Sequence, residues 1–340
     1  MTRLTLARID RIRARRNASV LLYLTDRCPV GCDHCSVSAL PRGARVSADG
    51  PLDGLVRGLA GAPGIRLVGI SGGEPFTERA ALDSATGRLA GAGKQLVLYT
   101  SGHWGRDDGG APAWTAPVLA RADCVVLSTD RQHAARIPER RYLAALRAAA
   151  AAGSWIAVQV VDAPGQAAEA ERLLAAALGP DWPERAEIRA TPLIRRGRAA
   201  GSPGAADRPG APGGAFGVCP LAAAPVVRYD GGLTGCCNED VVTGRGPAEL
   251  HRAAPGGPAE LRGALDALGR DAYLTAAATV GLGALTRLPR YRDLAAREHP
   301  DLCALCWTLL DRGAAADPAV HAIALAGAAG TAGAAAGVAG

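Results

Sequence analysis

Aromatic residues are scarce in this chain, 4% of its 340 positions, and no apolar run reaches the length and flanks that a membrane span requires. The one candidate, LAGAAGTAGAAAGVAG at the C-terminus, is broken by glycine and only weakly hydrophobic, and it reads as a disordered tail. An export signal is also missing. The basic start RIDRIRARR leads only into LLYLT, too short for the apolar core of a signal peptide, and no small-residue cleavage site follows, so the expected location is cytoplasmic. No Lys/Arg-rich block is interleaved with aromatics, which argues against a nucleic-acid partner. The net charge of +6 fits a basic solvated surface, or an attraction for an anionic or flexible polar partner such as a peptide leader. The low aromatic content, together with 44 glycines and abundant alanine, is a compositional background. With 49% hydrophobic residues the chain can build a large core, as about two domains or as one barrel-like α/β unit.

Cysteine, by contrast, is plentiful. Nine are present, and without an export signal disulfides are not their expected use. Eight fall in close groups, as ligands do, and only Cys124, inside the apolar run CVVLST, stands alone as a small core residue.

Six apolar runs alternate with helical patterns: SVLLYLT (19–25), IRLVGIS (65–71), QLVLYT (95–100), CVVLST (124–129), WIAVQVV (155–161) and AEIRA (186–190). Near-continuous apolar character is what parallel strands covered on both faces show. Pro or an acidic residue opens several of the intervening helices and Gly ends most. This is an α/β repeat, right-handed throughout, predicting a partial (β/α)6 TIM-like barrel over 1–198, with a flat doubly wound sheet as the structural alternative. Residues 199–218 are Gly/Pro/Ala-rich without a period and read as a linker. PVVRYDGGLTGCC, centred on Asp230-Gly231-Gly232, is a hairpin signal that opens a small C-terminal domain over 219–310, followed by an Ala/Gly-rich tail over 311–340.

Cys28, Cys32 and Cys35 form a C-x3-C-x2-C triad just past the end of the first strand, the active face of an α/β barrel. Three thiolates can hold three irons of a [4Fe–4S] cube and leave the fourth open; they can equally bind zinc, with His34 or Asp33 as a fourth ligand. A second set, Cys219, Cys236, Cys237, Cys303 and Cys306, can close a four-thiolate site for zinc or [4Fe–4S]. One of the adjacent pair Cys236/Cys237 must then be spare, because both cannot easily ligate one cube. Gln159 lies among apolar strand residues and needs a polar partner, such as a ribose or a substrate. His103 and Trp104 either line the pocket or pin a loop. His133 can move protons near neutrality or simply face solvent. Trp307 is placed to shield the second metal site from water.

The segment TDRCPVGCDHC resembles the cluster loop of the radical S-adenosylmethionine (SAM) superfamily. The resemblance implies that Cys28, Cys32 and Cys35 bind a [4Fe–4S] cluster whose open iron chelates the amino and carboxylate groups of SAM. Reductive cleavage of SAM then yields a 5′-deoxyadenosyl radical that takes a hydrogen from the substrate, with the electron supplied by an external flavodoxin- or ferredoxin-like donor. His34 matches the family position that packs by the cofactor. SGGEP (71–75) is similar to the family's GGEP motif, which implies Gly72, Gly73, Glu74 and Pro75 at the amino group of SAM. TSG (100–102) stands where many relatives carry T-N-G. LSTD (127–130) resembles a serine-bearing segment near SAM, implying Ser128 on SAM and Asp130 on SAM or substrate, with helix capping as the competing role. PLIRRGRA (192–199) resembles a P-x-x-x-x-G-R-A segment, implying Arg198 on a carboxylate of SAM or substrate, or in a surface basic cluster.

The run from Cys219 through Gly231 to Cys236, C-x11-G-x4-C, resembles the opening of the SPASM domain, but the dense cysteine continuation is missing and only Cys303-x2-Cys306 remains. This implies the shorter twitch domain, with one auxiliary [4Fe–4S] cluster on Cys219, Cys236, Cys303 and Cys306. Cys237 is then the spare thiol, structural or a hydrogen-atom donor to a substrate radical. The expected substrate is a ribosomally made precursor peptide, oxidatively modified or crosslinked. The alternatives are a small-molecule (aminocyclitol or sugar) dehydrogenase or epimerase, and a non-enzymatic zinc-stabilised scaffold.

Overall fold

The computed structural model describes residues 3–201 and 210–336. In chain order the elements are α1 (Leu6–Arg13), β1 (Ser19–Tyr23), α2 (Pro51–Ala60), β2 (Leu67–Ser71), α3 (Arg79–Gly91), β3 (Gln95–Thr100), α4 (Thr115–Ala120), β4 (Cys124–Ser128), α5 (Arg131–Ala134), α6 (Glu139–Ala151), β5 (Trp155–Val161), α7 (Gln166–Leu178) and β6 (Ala186–Thr191). They continue with β7 (Ala211–Pro212), β8 (Val226–Arg228), β9 (Leu233–Thr234), α8 (Glu239–Val242), β10 (His251–Arg252), α9 (Pro258–Arg270), α10 (Ala272–Thr279), α11 (Leu282–Leu285), β11 (Glu298–His299), α12 (Leu302–Asp311) and α13 (Pro318–Ala336).

All six apolar runs form strands, and β1 to β6 lie side by side in sequence order, each parallel to the next. A doubly wound sheet needs a reversal of strand order, and none occurs here. Right-handed crossovers that always step the same way put their helices on one face, and the twisted sheet curls around the other. Side chains alternate accordingly. Leu22, Val68, Leu98, Val125 and Val158 face the helices and are fully buried, each contributing roughly 1.5–3 kcal/mol by burial. Leu67, Val97, Val126 and Ala157 face the concave side.

The concave side is not empty. Helix α1 lies across it and buries Leu6, Ile9 and Ile12 against those four residues. Glu187 on β6 fastens the helix by accepting the Leu6 amide at 2.7 Å and the Trp155 indole N–H at 2.5 Å. The sequence reading took this segment only as a basic start, although its i, i+3, i+6 apolar spacing is helical.

Three departures from expectation concern the C-terminal part. First, the region after β6 does not stand apart. The predicted hairpin exists as β8 and β9, but β8 pairs in parallel with β1, with Leu22 opposite Val227, so the sheet continues to nine strands in the order β10-β9-β8-β1-β2-β3-β4-β5-β6. The sheet is open, since β6 and β10 are its edges. Second, the expected linker is docked where described. Gly213 and Gly214 donate backbone bonds to Arg297 and Ala295, and β7 pairs with β11. Positions 202–209 of that linker lie outside the described residues. Third, the expected disordered tail, 325–340, is helical as far as Ala336, the end of α13, and positions 337–340 lie outside the described residues. Alanine is the best helix former, and Val320 and Ala324 bury against the body next to α10. Among the described residues no helix is long and apolar enough to cross a membrane.

Candidate active site

The C-terminal ends of β1 to β6 open into a cavity of about 320 Å³. Cys28, Cys32 and Cys35 line it, with Gly72, Gly73, Glu74, Ser128, Asp130, His133, Gln159 and His34. The cysteine loop is held there from two sides. On one, the Gly73 amide donates to the Thr25 carbonyl at 2.6 Å and the Glu74 amide to the Arg27 carbonyl at 2.7 Å. A Cβ on Gly73 would meet the Arg27 carbonyl oxygen at 2.2 Å, so only glycine permits this approach. The glycine pair thus serves first to admit the cysteine loop. On the other side, Gly197 and Arg198 lie against the loop, and a Cβ on Gly197 would meet the carbonyls of Cys35 and Ser36 at 2.5 Å. Arg198 donates Nε to the Cys32 carbonyl at 2.9 Å and Nη1 to the Ala39 carbonyl at 2.8 Å, and its backbone amide reaches the Cys35 carbonyl. Arg198 therefore acts as a clamp on the loop; it is not among the residues lining the cavity.

Glu74 is 1% exposed and organises the next two strand ends. Its Oε1 accepts from Thr100 Oγ1 (2.9 Å) and the Phe76 amide (3.1 Å); its Oε2 accepts from the Ser101 amide (2.8 Å) and Ser101 Oγ (2.6 Å). Burial alone would raise the Glu74 pKa, but the neighbouring His103 and the Ser101 bonds outweigh it and hold the carboxyl below its ordinary value. His103 Nδ1 stands 3.5 Å from Oε2, long for a hydrogen bond. Trp104 donates Nε1 to Thr100 Oγ1 at 3.0 Å and stacks on Phe76, so of its two expected roles it takes the loop-pinning one. Pro75 begins a buried turn behind Glu74.

Asp130 does cap a helix: its Oδ1 accepts the amides of Gln132 and His133 at the start of α5. The other oxygen faces two imidazoles, His133 Nδ1 at 2.9 Å and His34 Nε2 at 3.0 Å. A carboxylate only accepts, so both of these nitrogens carry protons. His133 Nε2 then points at Cys32 Sγ, 3.6 Å away. Asp130 is pushed well below the usual carboxylate range: burial opposes this, and the bonds from His133 and His34 prevail. Among the described residues, His34, Asp130 and His133 are the three whose ligand atoms lie within 4.8 Å of one another; no three cysteines do. Thiolates on one zinc, at about 2.3 Å each, stand at most about 4.6 Å apart. Among the described residues, neither cysteine set is thus drawn to single-zinc spacing. Burial, then the neighbouring thiols Cys28 and Cys35, pushes the Cys32 thiol up to about 12. Such a set becomes thiolate only with a compensating cation.

Beside the first cavity, Cys219, Cys236, Cys303 and Cys306 surround a smaller one, walled by Tyr273, Leu274 and Trp307. Burial pushes Cys219 up to about 11 and Cys306 up to about 12. Asn238 Nδ2 lies 3.2 Å from Cys303 Sγ, and the Tyr273 hydroxyl 3.2 Å from Cys306 Sγ. Neither residue was marked by sequence reading, although Asn238 directly follows the cysteine pair and caps α8. Cys237 turns the other way. Its Sγ lies on the concave side of the sheet, 3.7 Å from Arg13 Nη2, so the adjacent pair serves two different compartments. Cys124 is fully buried core on β4.

No protein-family profile matches the chain, and no curated protein matches it. Among solved structures it is similar to Streptococcus suis SuiB bound to precursor peptide SuiA, at 13% identity and a TM-score of 0.45 over 70% of this chain and 63% of that one. It is similar to SuiB bound to S-adenosylmethionine, at 13% and 0.45 over 68% and 63%. A third, BtrN in complex with AdoMet and 2-DOIA, gives 12% and 0.46 over 82% and 91%. The chain spans less than two thirds of the length of the SuiB structures.

Proposed function

We propose that this chain is a radical SAM enzyme with one auxiliary [4Fe–4S] cluster, which oxidatively modifies a substrate seated in the strand-end cavity. The observation that carries the reading is the convergence of Cys28, Cys32 and Cys35 with the glycine turn at 72–73, Ser128 and Gln159 on one cavity at the C-terminal ends of parallel strands. Burial raises the Cys28 and Cys32 thiols, and among the described residues no three cysteines lie at single-zinc spacing, which supports a multi-iron group over a single zinc. The same reading assigns Cys219, Cys236, Cys303 and Cys306, which line the smaller cavity, to a second such group. When bound, SAM and the cluster supply the hydrogen-abstracting chemistry.

The chain's own residues then have distinct tasks. Gly72, Gly73, Glu74 and Arg198 fix the position of the cysteine loop. Ser128 and Gln159, neighbours across β4 and β5, offer polar groups to SAM or substrate from the cavity floor. Asp130 holds His133 beside Cys32, with the imidazole Nε2 turned toward the thiol. Cys237 is the thiol open to a substrate that reaches the lumen, as a hydrogen-atom donor. Curling of the sheet and the α1 plug restrict water at the reacting carbon.

A ribosomally made precursor peptide is the proposed substrate class, with an external flavodoxin- or ferredoxin-like electron donor. The restricted volume of the cavity, about 320 Å³, favours a second reading, a small-molecule dehydrogenase or epimerase. Anaerobic purification tests the core of the proposal. A brown protein with about eight irons per chain, which releases 5′-deoxyadenosine from SAM on reduction, is the expected result; a colourless zinc protein overturns it. Mass spectrometry of candidate substrates separates the classes: loss of two hydrogens marks oxidation, and uptake of one solvent deuterium without other change marks epimerisation.

A further inference from the structure

Below the strand-end cavity the lumen holds a second one, of about 180 Å³, between β1 to β3 and the last turn of α1. The two share Ser71 and Tyr99 in their walls, so the lower cavity adjoins the upper. The last residue of α1, Arg13, follows the buried Ile12 and turns its guanidinium inward. Among the described residues it makes no ion pair. Its guanidinium lies 3.7 Å from Cys237 Sγ, and Asp10, three residues back, pairs with Arg189. Ser19, 3% exposed, lines the same space, and its Oγ has no hydrogen-bond partner. A sequestered cation beside an unsatisfied hydroxyl is costly unless an anion completes the set. Leu21, Leu67, Val97 and Ala224 supply apolar wall, and Ser71 and Tyr99 close the end toward the upper cavity. An anionic head with a short hydrocarbon body matches that lining, and a planar carboxylate matches the guanidinium fork.

We propose that the lower lumen is a carboxylate-binding subsite, where Arg13 and Ser19 hold the anionic end of an organic acid entering from the cavity above. The carboxylate belongs to a free small acid or to a peptide. Only its identification as part of the substrate rests on the proposed function, and the binding itself needs neither SAM nor turnover.

Calorimetric titration of the anaerobically purified chain with butyrate tests this. One equivalent is expected to bind, and the neutral isostere butyramide at least tenfold more weakly. Arg13→Gln is expected to lose at least tenfold in butyrate affinity, Arg13→Lys to retain most of it, and Ser19→Ala to lose about threefold. Equal binding of butyrate and butyramide, no binding of either, or butyrate affinity unchanged in Arg13→Gln overturns the proposal. Should Arg13→Gln fail to fold, Ser19→Ala decides alone, and unchanged affinity there overturns it. A capped tripeptide with a free C-terminal carboxylate that displaces butyrate supports a peptide source, whereas butyrate binding without displacement supports a free acid. Failure of butyrate binding in a protein that still cleaves SAM sinks the subsite and leaves the proposed reaction standing.

Discussion

Replacing Glu74 by Gln keeps the shape of the side chain and removes its charge, which makes it a sharp probe of the strand-end scaffold. Each Glu74 oxygen accepts two hydrogen bonds, one pair from Thr100 Oγ1 and the Phe76 amide, the other from the Ser101 amide and hydroxyl. A glutamine can satisfy one pair with its oxygen and must turn its NH2 toward the other. If the NH2 faces Thr100, that hydroxyl already accepts from the Gly102 amide and the Trp104 indole, so it has no lone pair left, and the Phe76 N–H is a donor as well. If the NH2 faces Ser101, the Ser101 amide is opposed and only the hydroxyl can rotate to accept. At least one bond to a charged acceptor is lost outright and a second is lost or weakened. At about 1.5–3 kcal/mol each, the expected destabilisation is about 3 kcal/mol, equivalent to a more than hundredfold shift toward the unfolded chain. Urea unfolding at neutral pH, followed by far-UV circular dichroism, measures it, and the Ser101→Ala double-mutant cycle should recover about 1 kcal/mol of coupling. A loss below about 1 kcal/mol for Glu74→Gln, or no coupling to Ser101, would refute this account of the network.

The same carboxylate has a pH signature. Its folded pKa is depressed, so its contribution is present above the unfolded value of about 4.3 and is lost as pH falls through the folded one. Wild type should therefore lose more stability than Glu74→Gln between about pH 5 and pH 3; parallel curves would count against it. Gly73→Ala places a methyl 2.2 Å from the Arg27 carbonyl and should destabilise by about 2–4 kcal/mol while lowering iron retention, both checked on one preparation by unfolding and metal analysis. Arg198→Met, which fills space without donating, frees the Cys32 and Ala39 carbonyls and should lose iron faster under a chelator than wild type, at little cost in helix content. Under the proposed function, Cys303→Ala should keep 5′-deoxyadenosine release and lose the final product; equal product yield would mean that the proposed second cluster takes no part in the oxidation.

Local pattern made much of this protein legible. Unbroken apolar strands between Gly-ended helices imply a parallel sheet, and a cysteine triad, a Gly-Gly turn and a Ser-Thr-Asp segment placed right after successive strands imply a shared rim, because parallel strands in sequence order bring all their C-terminal ends to one side. What each rim residue touches was not legible. Arg198 read as a ligand to a bound carboxylate, yet its partners lie 166 and 159 residues earlier on the cysteine loop. Helix α1 read as a charged start, because nothing within its own segment reveals the concave sheet face that Leu6, Ile9 and Ile12 cover. The C-terminal alanine-rich segment read as disordered, because its order depends on docking against a distant part of the chain.

The sequence by itself determined the strands, the motifs at their ends and the inventory of thiols, since periodicity and spacing are properties of neighbouring residues; the strand order, which separates the one-way sheet from the doubly wound alternative, came from the tertiary structure. Only the tertiary structure decided that Cys236 joins the four-cysteine cavity while Cys237, one bond along, faces Arg13 in the lumen. The reason is physical: Cys237 meets Arg13, 224 residues earlier in the chain, while Cys236 meets cysteines brought in from 219, 303 and 306, and no local pattern encodes either encounter.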